Sequence, residues 1–247
     1  MSLLAPHRIK EWRQAVLDLQ PVGYWPLGEL TGVARNWAAS NAANGTVTIG
    51  VGARHTVALN DGGDGGILYD GLDTNIAIAN GTAIASPFSA GATLLVLLQP
   101  TDSGEGGAGR IWSKNNMIRM TNEAGGLSKL NFTHSFSVAT GEWTTTNTVI
   151  ANGQIQLLAW TFDGSSDANN PSIYIFNKNT RAFLNLGVGS GITENTAPSG
   201  TANADTAAIN IGSDGAGSAT FKGILDESVL IKRVLSFNSF KELAELL

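Results

Sequence analysis

The sequence predicts an all-β protein, an antiparallel sandwich or barrel with a short helix at each end. Three observations carry that expectation. From Val22 to about Phe237 there is no helical period, and roughly a dozen short apolar runs alternate with clusters of Gly, Asn, Asp, Ser and Thr. The 247 residues include 30 glycines and only 14% charged residues, which suits short strands joined by many turns. The long helices that a βαβ fold needs between its strands are missing. A chain of this length is routinely one all-β domain, and it buries enough surface to fold without covalent staples.

The predicted strands are Thr46–Ile49, Ile67–Tyr69, Ile76–Ala79, Thr93–Gln99, Arg110–Ser113, Met117–Thr121, Lys129–Ser135, Gln156–Phe162, Ser172–Asn177, Ala208–Ile211 and Phe221–Ile231. In one of them Ile173 and Ile175 face one way and Tyr174 and Phe176 the other, a pattern suited to burial on both faces. Ahead of the strands, residues 5–19 read as an amphipathic helix, with Ile9, Trp12, Val16 and Leu19 near one face. Pro6 suits its first turn and Pro21 ends it. The ordinary reading is a helix packed across the sandwich. The functional reading is a docking arm, with Ile9, Trp12 and Val16 as anchors for a partner. At the other end, Ser239 followed by Glu242 is a capping-box pattern, and Phe240, Leu243, Leu246 and Leu247 share a face. That predicts a helix sealing the sandwich. Gly187–Asp205, rich in small and polar residues, is expected to be a long surface loop.

Composition removes several classes of function. There is no cysteine, so disulfides, thiolate metal sites and cysteine nucleophiles are excluded. The 15 basic and 20 acidic residues are scattered, without the cationic stripe that nucleic-acid phosphates require. No apolar stretch reaches the roughly 18 residues of a membrane span. The opening residues, with Pro6 and a charged stretch close behind Met1, lack the pattern of a signal peptide.

Motifs with chemistry are few. Gly104–Gly109 spells a dinucleotide fingerprint, but Arg110–Ser113 behind it reads as a strand where the fingerprint needs a helix, which leaves a flexible turn. Asp61-Gly62-Gly63-Asp64-Gly65-Gly66 is one copy of a glycine-rich calcium repeat; a single calcium on Asp61 and Asp64 is the functional reading, and a solvated turn is the ordinary one. His7, His55 and His134 are far apart and have no metal-ligand spacing. A paired-carboxylate glycosidase needs alternating acids on one strand face. Asp226 and Glu227 are adjacent, so a regular strand points them to opposite faces and the pattern fails. Tryptophans stand at 12, 25, 37, 112, 143 and 160, and most are expected in the core. Trp143, in a polar turn-like stretch, is the surface candidate for stacking on a sugar ring. No catalytic residue is assigned.

Four segments, in order, resemble the laminin-G-like, concanavalin-A-like jelly-roll family. They are Pro21–Glu29 with its Tyr24-Trp25 pair, Ile67–Gly71 with Ile76–Ile78, Phe88 with Ala92–Thr101, and Gly223–Ser236 with Asp226-Glu227. The interior pair Leu158–Gly164 and Ile173–Phe176 fits as well. The resemblance implies an antiparallel jelly-roll β-sandwich over residues 21–247, preceded by a helical arm over residues 1–20. The family often carries an aspartate where Asn36 stands, and its usual Asp-Gly turn is missing after Asn177.

The opening segment also resembles bacteriophage-encoded members of the family. That resemblance implies a non-enzymatic virion protein, a capsid decoration or exposed appendage assembled in the host cytoplasm. Its partners would be other virion proteins and further copies of itself in symmetric array. The alternative is a lectin-like carbohydrate-binding module that contacts surface glycans, with exposed aromatics on a sheet face and calcium as the one cofactor to consider. A glycoside hydrolase or lyase is a third reading.

Overall fold

The computed structural model describes residues 5–28, 32–39, 44–48, 58–60, 65–114, 118–122, 127–216 and 218–247. Along the chain the elements are α1 (Ala5–Asp18), β1 (Gly23–Trp25), β2 (Val33–Ala34), β3 (Gly45–Thr48), β4 (Ile67–Asp70), β5 (Asn75–Ile78), β6 (Ala92–Pro100), β7 (Arg110–Ser113), β8 (Ile118–Asn122) and β9 (Leu127–His134). They continue with β10 (Gly141–Thr145), β11 (Ile150–Ala151), β12 (Gln156–Phe162), β13 (Ser172–Asn177), β14 (Ala182–Val188), β15 (Gly191–Thr196), β16 (Ile209–Ile211), β17 (Lys222–Ile231) and α2 (Phe237–Ala244).

Every strand run predicted from the apolar pattern is a strand, with ends shifted by a residue or two; Ile49 and Met117 lie outside the described residues. Besides the short β1, β2 and β11, three strands fall outside the predicted runs: β14 over Ala182–Val188, and β10 and β15. The stretch around Trp143 is strand β10, and part of the expected Gly187–Asp205 loop is strand β15. Each places one large apolar side chain in the core, Trp143 and Ile192, among polar neighbours. A single inward apolar residue is too few for a period to show. At the C-terminal helix the cap is Ser236, whose hydroxyl accepts from Ser239 N–H at 3.1 Å, so the cap lies one turn earlier than the Ser239 pattern implied.

The strands form two packed sheets, and the fold is an antiparallel β-sandwich. In the first sheet β17 pairs with β6, β6 with β12, β12 with β13 and β13 with β14, while β1 and β4 share the other edge of β17. The second runs β2–β3–β5–β16–β7–β8–β9–β10–β15, with β11 beside β9. All these pairings are antiparallel. A short parallel contact between β14 and β15 links the two sheets at one corner.

Side-chain alternation makes the first sheet bury both faces. Leu94, Val96 and Leu98 of β6, Leu158 and Trp160 of β12, and Ile173 and Ile175 of β13 fill the space between the sheets. Their alternates Leu95, Leu97, Leu157, Ala159, Tyr174 and Phe176 pack outward under α1 and α2. The double-sided burial read from Ser172–Phe176 is therefore real.

Trp12 and Val16, chosen as partner anchors, lie in this outer layer at 1% and 0% exposure, with Tyr24, Phe240 and Leu243. A buried side chain of this size contributes about 1.5–3 kcal/mol. Freeing α1 to anchor a partner costs the burial of both residues, so the packed reading replaces the docking arm. The side chain of Ile9 lies outside the described residues.

Strand β17 carries the main irregularity. Leu225 pairs with Leu98 and Ser228 with Val96, so Asp226 and Glu227 together oppose one residue, Leu97. This bulge shifts the alternation by one position. Ile224 faces the helices and Leu225 the second sheet; beyond the bulge Val229 faces the helices and Leu230 the second sheet. Both carboxylates consequently reach the same segment, which corrects the expectation of opposite faces. Asp226 Oδ2 accepts from Leu59 N–H at 2.7 Å and from Asn60 N–H at 3.4 Å, and Glu227 Oε1 accepts from the Asn60 amide at 2.7 Å. Lys178 Nζ donates to the Leu59 carbonyl at 2.8 Å. Leu59 is thereby pinned into the outer core layer. Asp226→Ala removes a buried charged acceptor, and is expected to lower the unfolding free energy by about 2–3 kcal/mol. Asp226→Asn, which keeps an acceptor oxygen, should cost less; urea unfolding of the three proteins checks the order.

Candidate functional site

The best-built site is the loop from Asp163 to Pro171, between β12 and β13. Asp163 opens it with an Asx turn, its Oδ1 accepting from Ser165 N–H at 3.0 Å. The Asn169 amide donates back to the Asp163 carbonyl at 2.9 Å, and Ser166 Oγ accepts from Ala168 N–H at 3.1 Å. Pro171 biases Asn170 to an extended conformation and leads into β13. The loop is also tied to its surroundings. Gly164 N–H donates to the Phe88 carbonyl at 2.7 Å, and Asp167 Oδ2 accepts from Gly200 N–H at 2.8 Å. Gly164 is required there, because a Cβ would stand 2.6 Å from the Phe88 oxygen.

The loop walls an open pocket of about 280 Å³ lined by Thr161, Phe162, Asp163, Asn169, Asn170, Ser172 and Val234. It lies just under the ~300–1,000 Å³ of drug-sized sites, which suits one small ring. The buried Thr161 hydroxyl has no hydrogen-bond partner among the described residues. Val234 contributes an apolar wall that is half exposed.

Trp143 is behind this pocket and not on the surface. It is fully buried, stacks on Phe132 at 5.6 Å between ring centroids, and its indole N–H donates to Asn170 Oδ1 at 2.9 Å. It cannot stack on a sugar. With Asn170 Oδ1 occupied, the two N–H donors of the same amide are left for other contacts. Together the walls offer amide donors, a carboxylate acceptor, hydroxyls and an apolar edge, a set that matches a polyhydroxylated ring.

The exposed tryptophan is Trp37, and the other five are buried. Its ring carries the Arg13 guanidinium at 4.7 Å and meets Tyr24 edge-on at 6.5 Å. Asn36 fixes it from behind: Oδ1 accepts from Tyr24 N–H at 3.0 Å and from Ala38 N–H at 3.1 Å. Asn36 thus serves as a two-bond acceptor. Nothing in the sequence separates Trp37 from the buried tryptophans, since its exposure follows from a loop fixed by tertiary hydrogen bonds.

No group of three or more His, Asp or Glu able to hold a metal occurs among the described residues. Asp61, Asp64 and His55 lie outside the described residues, as does the side chain of His7. The Asp226–Glu227 pair is sealed from solvent under the outer layer, closed to a dissolved substrate. There Tyr24 is pushed above the usual phenol range, first by burial and then by the neighbouring Glu227.

His134 is a core residue. It lies parallel to Phe132 and edge-on to Phe88, Phe136 and Phe162. Burial pushes its pKa down from 6.5 to about 4. Above pH 6.5 the imidazole is neutral in the folded and unfolded chain alike. Between 6.5 and about 4 the unfolded chain takes up the proton and the folded one resists it, so stability falls as the pH drops through that window. The loss attributable to this group is about 3 kcal/mol. Urea unfolding of wild type and His134→Leu across the window should show this part of the slope in wild type alone.

No protein-family model matches the sequence, and comparison with curated protein sequences likewise finds no match. Solved structures do resemble the fold. Domain 4 of AbnA, an extracellular arabinanase of Geobacillus stearothermophilus in complex with arabinotriose, superposes with a TM-score of 0.55 at 17% identity, covering 91% of this chain and 98% of that domain. The binding domain of Paraclostridial Mosquitocidal Protein 1 has a TM-score of 0.62 at 10% identity, covering 92% of this chain and 52% of that one. The binding domain of botulinum neurotoxin DC in complex with SialylT gives 0.56 at 9% identity, covering 92% and 52%. The chain therefore spans about half the length of the toxin binding domains and nearly all of the arabinanase domain. At these identities the likeness is one of fold.

Proposed function

We propose that the protein is a carbohydrate-binding module without catalytic activity of its own, and that the Asp163–Ser172 pocket takes a sugar ring. The pre-organised loop carries this reading. Its amide and carboxylate are held by neighbouring hydrogen bonds before any ligand arrives, so little ordering is left to oppose binding. Asn170 donates to ring hydroxyls, Asp163 accepts from them, and Val234 lies along the apolar edge. Trp143 is a positioning residue that fixes the Asn170 amide. The arabinotriose and SialylT complexes of the structural neighbours support the carbohydrate class. None of the three neighbours named above is a virion protein, and the lectin-like reading is preferred to the virion one.

A glycan array including arabinose-containing and sialylated oligosaccharides, read with and without calcium, should give binding. Titration calorimetry on the best ligand should then show Asn170→Ala and Asp163→Ala each weakened about tenfold or more, the equivalent of ~1.4 kcal/mol. Trp143→Phe, which keeps a ring and loses the N–H, should weaken binding less, and Leu72→Ala on a remote turn should leave it unchanged. An array blank under both conditions sinks the reading.

A further inference from the structure

The Asp163–Ser172 pocket has a charge character that narrows what it can hold. Its lining carries one carboxylate, Asp163, and no Lys, Arg or His. The loop that builds it, from Asp163 to Pro171, adds Asp167 and again no basic residue. Both acids are held by backbone donors, Asp163 Oδ1 by Ser165 N–H at 3.0 Å and Asp167 Oδ2 by Gly200 N–H at 2.8 Å. Neither swings away without breaking a hydrogen bond. The chain as a whole has a formal net charge of −5, so the field at longer range has the same sign.

The floor of the pocket belongs to a row of hydroxyls. Thr93, Thr161 and Ser172 stand side by side on β6, β12 and β13, paired directly across the strands. The Thr93 hydroxyl is committed: it donates to the Arg233 carbonyl at 2.8 Å and accepts from Leu235 N–H at 2.9 Å, which sets Val234 as the apolar wall. Thr161 beside it is 2% exposed, and its hydroxyl has no partner among the described residues. A ligand hydroxyl can donate to Thr161 or accept from it, and it can donate to Asp163 as well. A ligand carboxylate can only accept. It has nothing to give Asp163, and it sets a second negative charge beside the first.

We infer that the pocket is specific for neutral sugars and rejects sialic and uronic acids, with Asp163 as the residue that sets the preference. The inference rests on the carbohydrate reading of this pocket and adds its charge selectivity. A like charge placed where the wrong ligand would bring its own excludes that ligand, whatever the remaining contacts offer. Arg233 precedes Val234 in the chain, but it is the Arg233 carbonyl that is tied into the site, and the side chain is exposed.

The test uses an array of neutral, uronic and sialylated oligosaccharides, followed by matched methyl glycosides. Galactoside with galacturonide, and glucoside with glucuronide, differ only in a CH2OH or a carboxylate on the same ring. Hits on the array should be neutral glycans. In NMR titrations the neutral member of a pair should bind at least about tenfold more tightly than the acid. Asp163→Asn keeps an oxygen for Ser165 N–H, so the turn is retained; it should shrink that gap to about threefold or less. Arg233→Ala should leave the gap as it is, and Thr161→Val should weaken the neutral sugar. An array blank for every glycan sinks the carbohydrate reading and this inference with it. Hits confined to uronic or sialylated glycans, and lost in Asn170→Ala, keep the carbohydrate reading and overturn the inference. So does a gap that Asp163→Asn leaves unchanged.

Discussion

The structure turns on the one-residue bulge at Asp226–Glu227. Strand β17 lies inside the first sheet, with β6 on one edge and β1 and β4 on the other, and it contributes to the core on both faces. A regular strand would send one of the two carboxylates into the apolar space between the sheets, at a cost of several kcal/mol. The bulge sends both to the helix side, where backbone and amide donors from residues 59–60 meet them. It also resets the alternation so that Leu225 and Leu230, on either side of it, reach the same core. Polar and apolar demands on one strand are met by a single inserted residue.

A similar economy governs the candidate pocket. Its residues come from a surface loop, but the loop is anchored at Phe88, Trp143 and Gly200, three separate parts of the chain. A buried indole thus helps to fix a pocket wall from behind. The aromatic cluster below, from Phe132 to Phe162, gives the loop a rigid floor, and His134 belongs to that floor as a neutral ring.

Much of the fold was legible because β6, β12 and β13 are buried on both faces and read as continuous apolar runs. The helices were legible from their apolar stripes. Strands β10 and β15 were not, since each offers the core one large residue among threonines, asparagines and glutamates. The opposite-face reading of Asp226 and Glu227 failed because a bulge leaves no mark in the residue alphabet. The pocket was invisible for a related reason: Asp163-Gly164-Ser165-Ser166 spells an ordinary turn, and its fixed shape comes from hydrogen bonds to distant residues. Trp143 was singled out for its polar neighbours, which turn out to be the outward residues of a strand.

The placement of β17 also bears on how the chain folds as it is made. Its neighbour β6, with Leu94–Leu98 apolar on both faces, emerges from the ribosome more than a hundred residues before β17 does. At ≈ 5–20 residues per second, that strand waits on the order of 10 s for the partner that completes its edge. Such late, long-range closure is characteristic of slow β-folding, and leaves the apolar strand exposed to other chains meanwhile. Assistance by a holding chaperone during synthesis would act on β6 first.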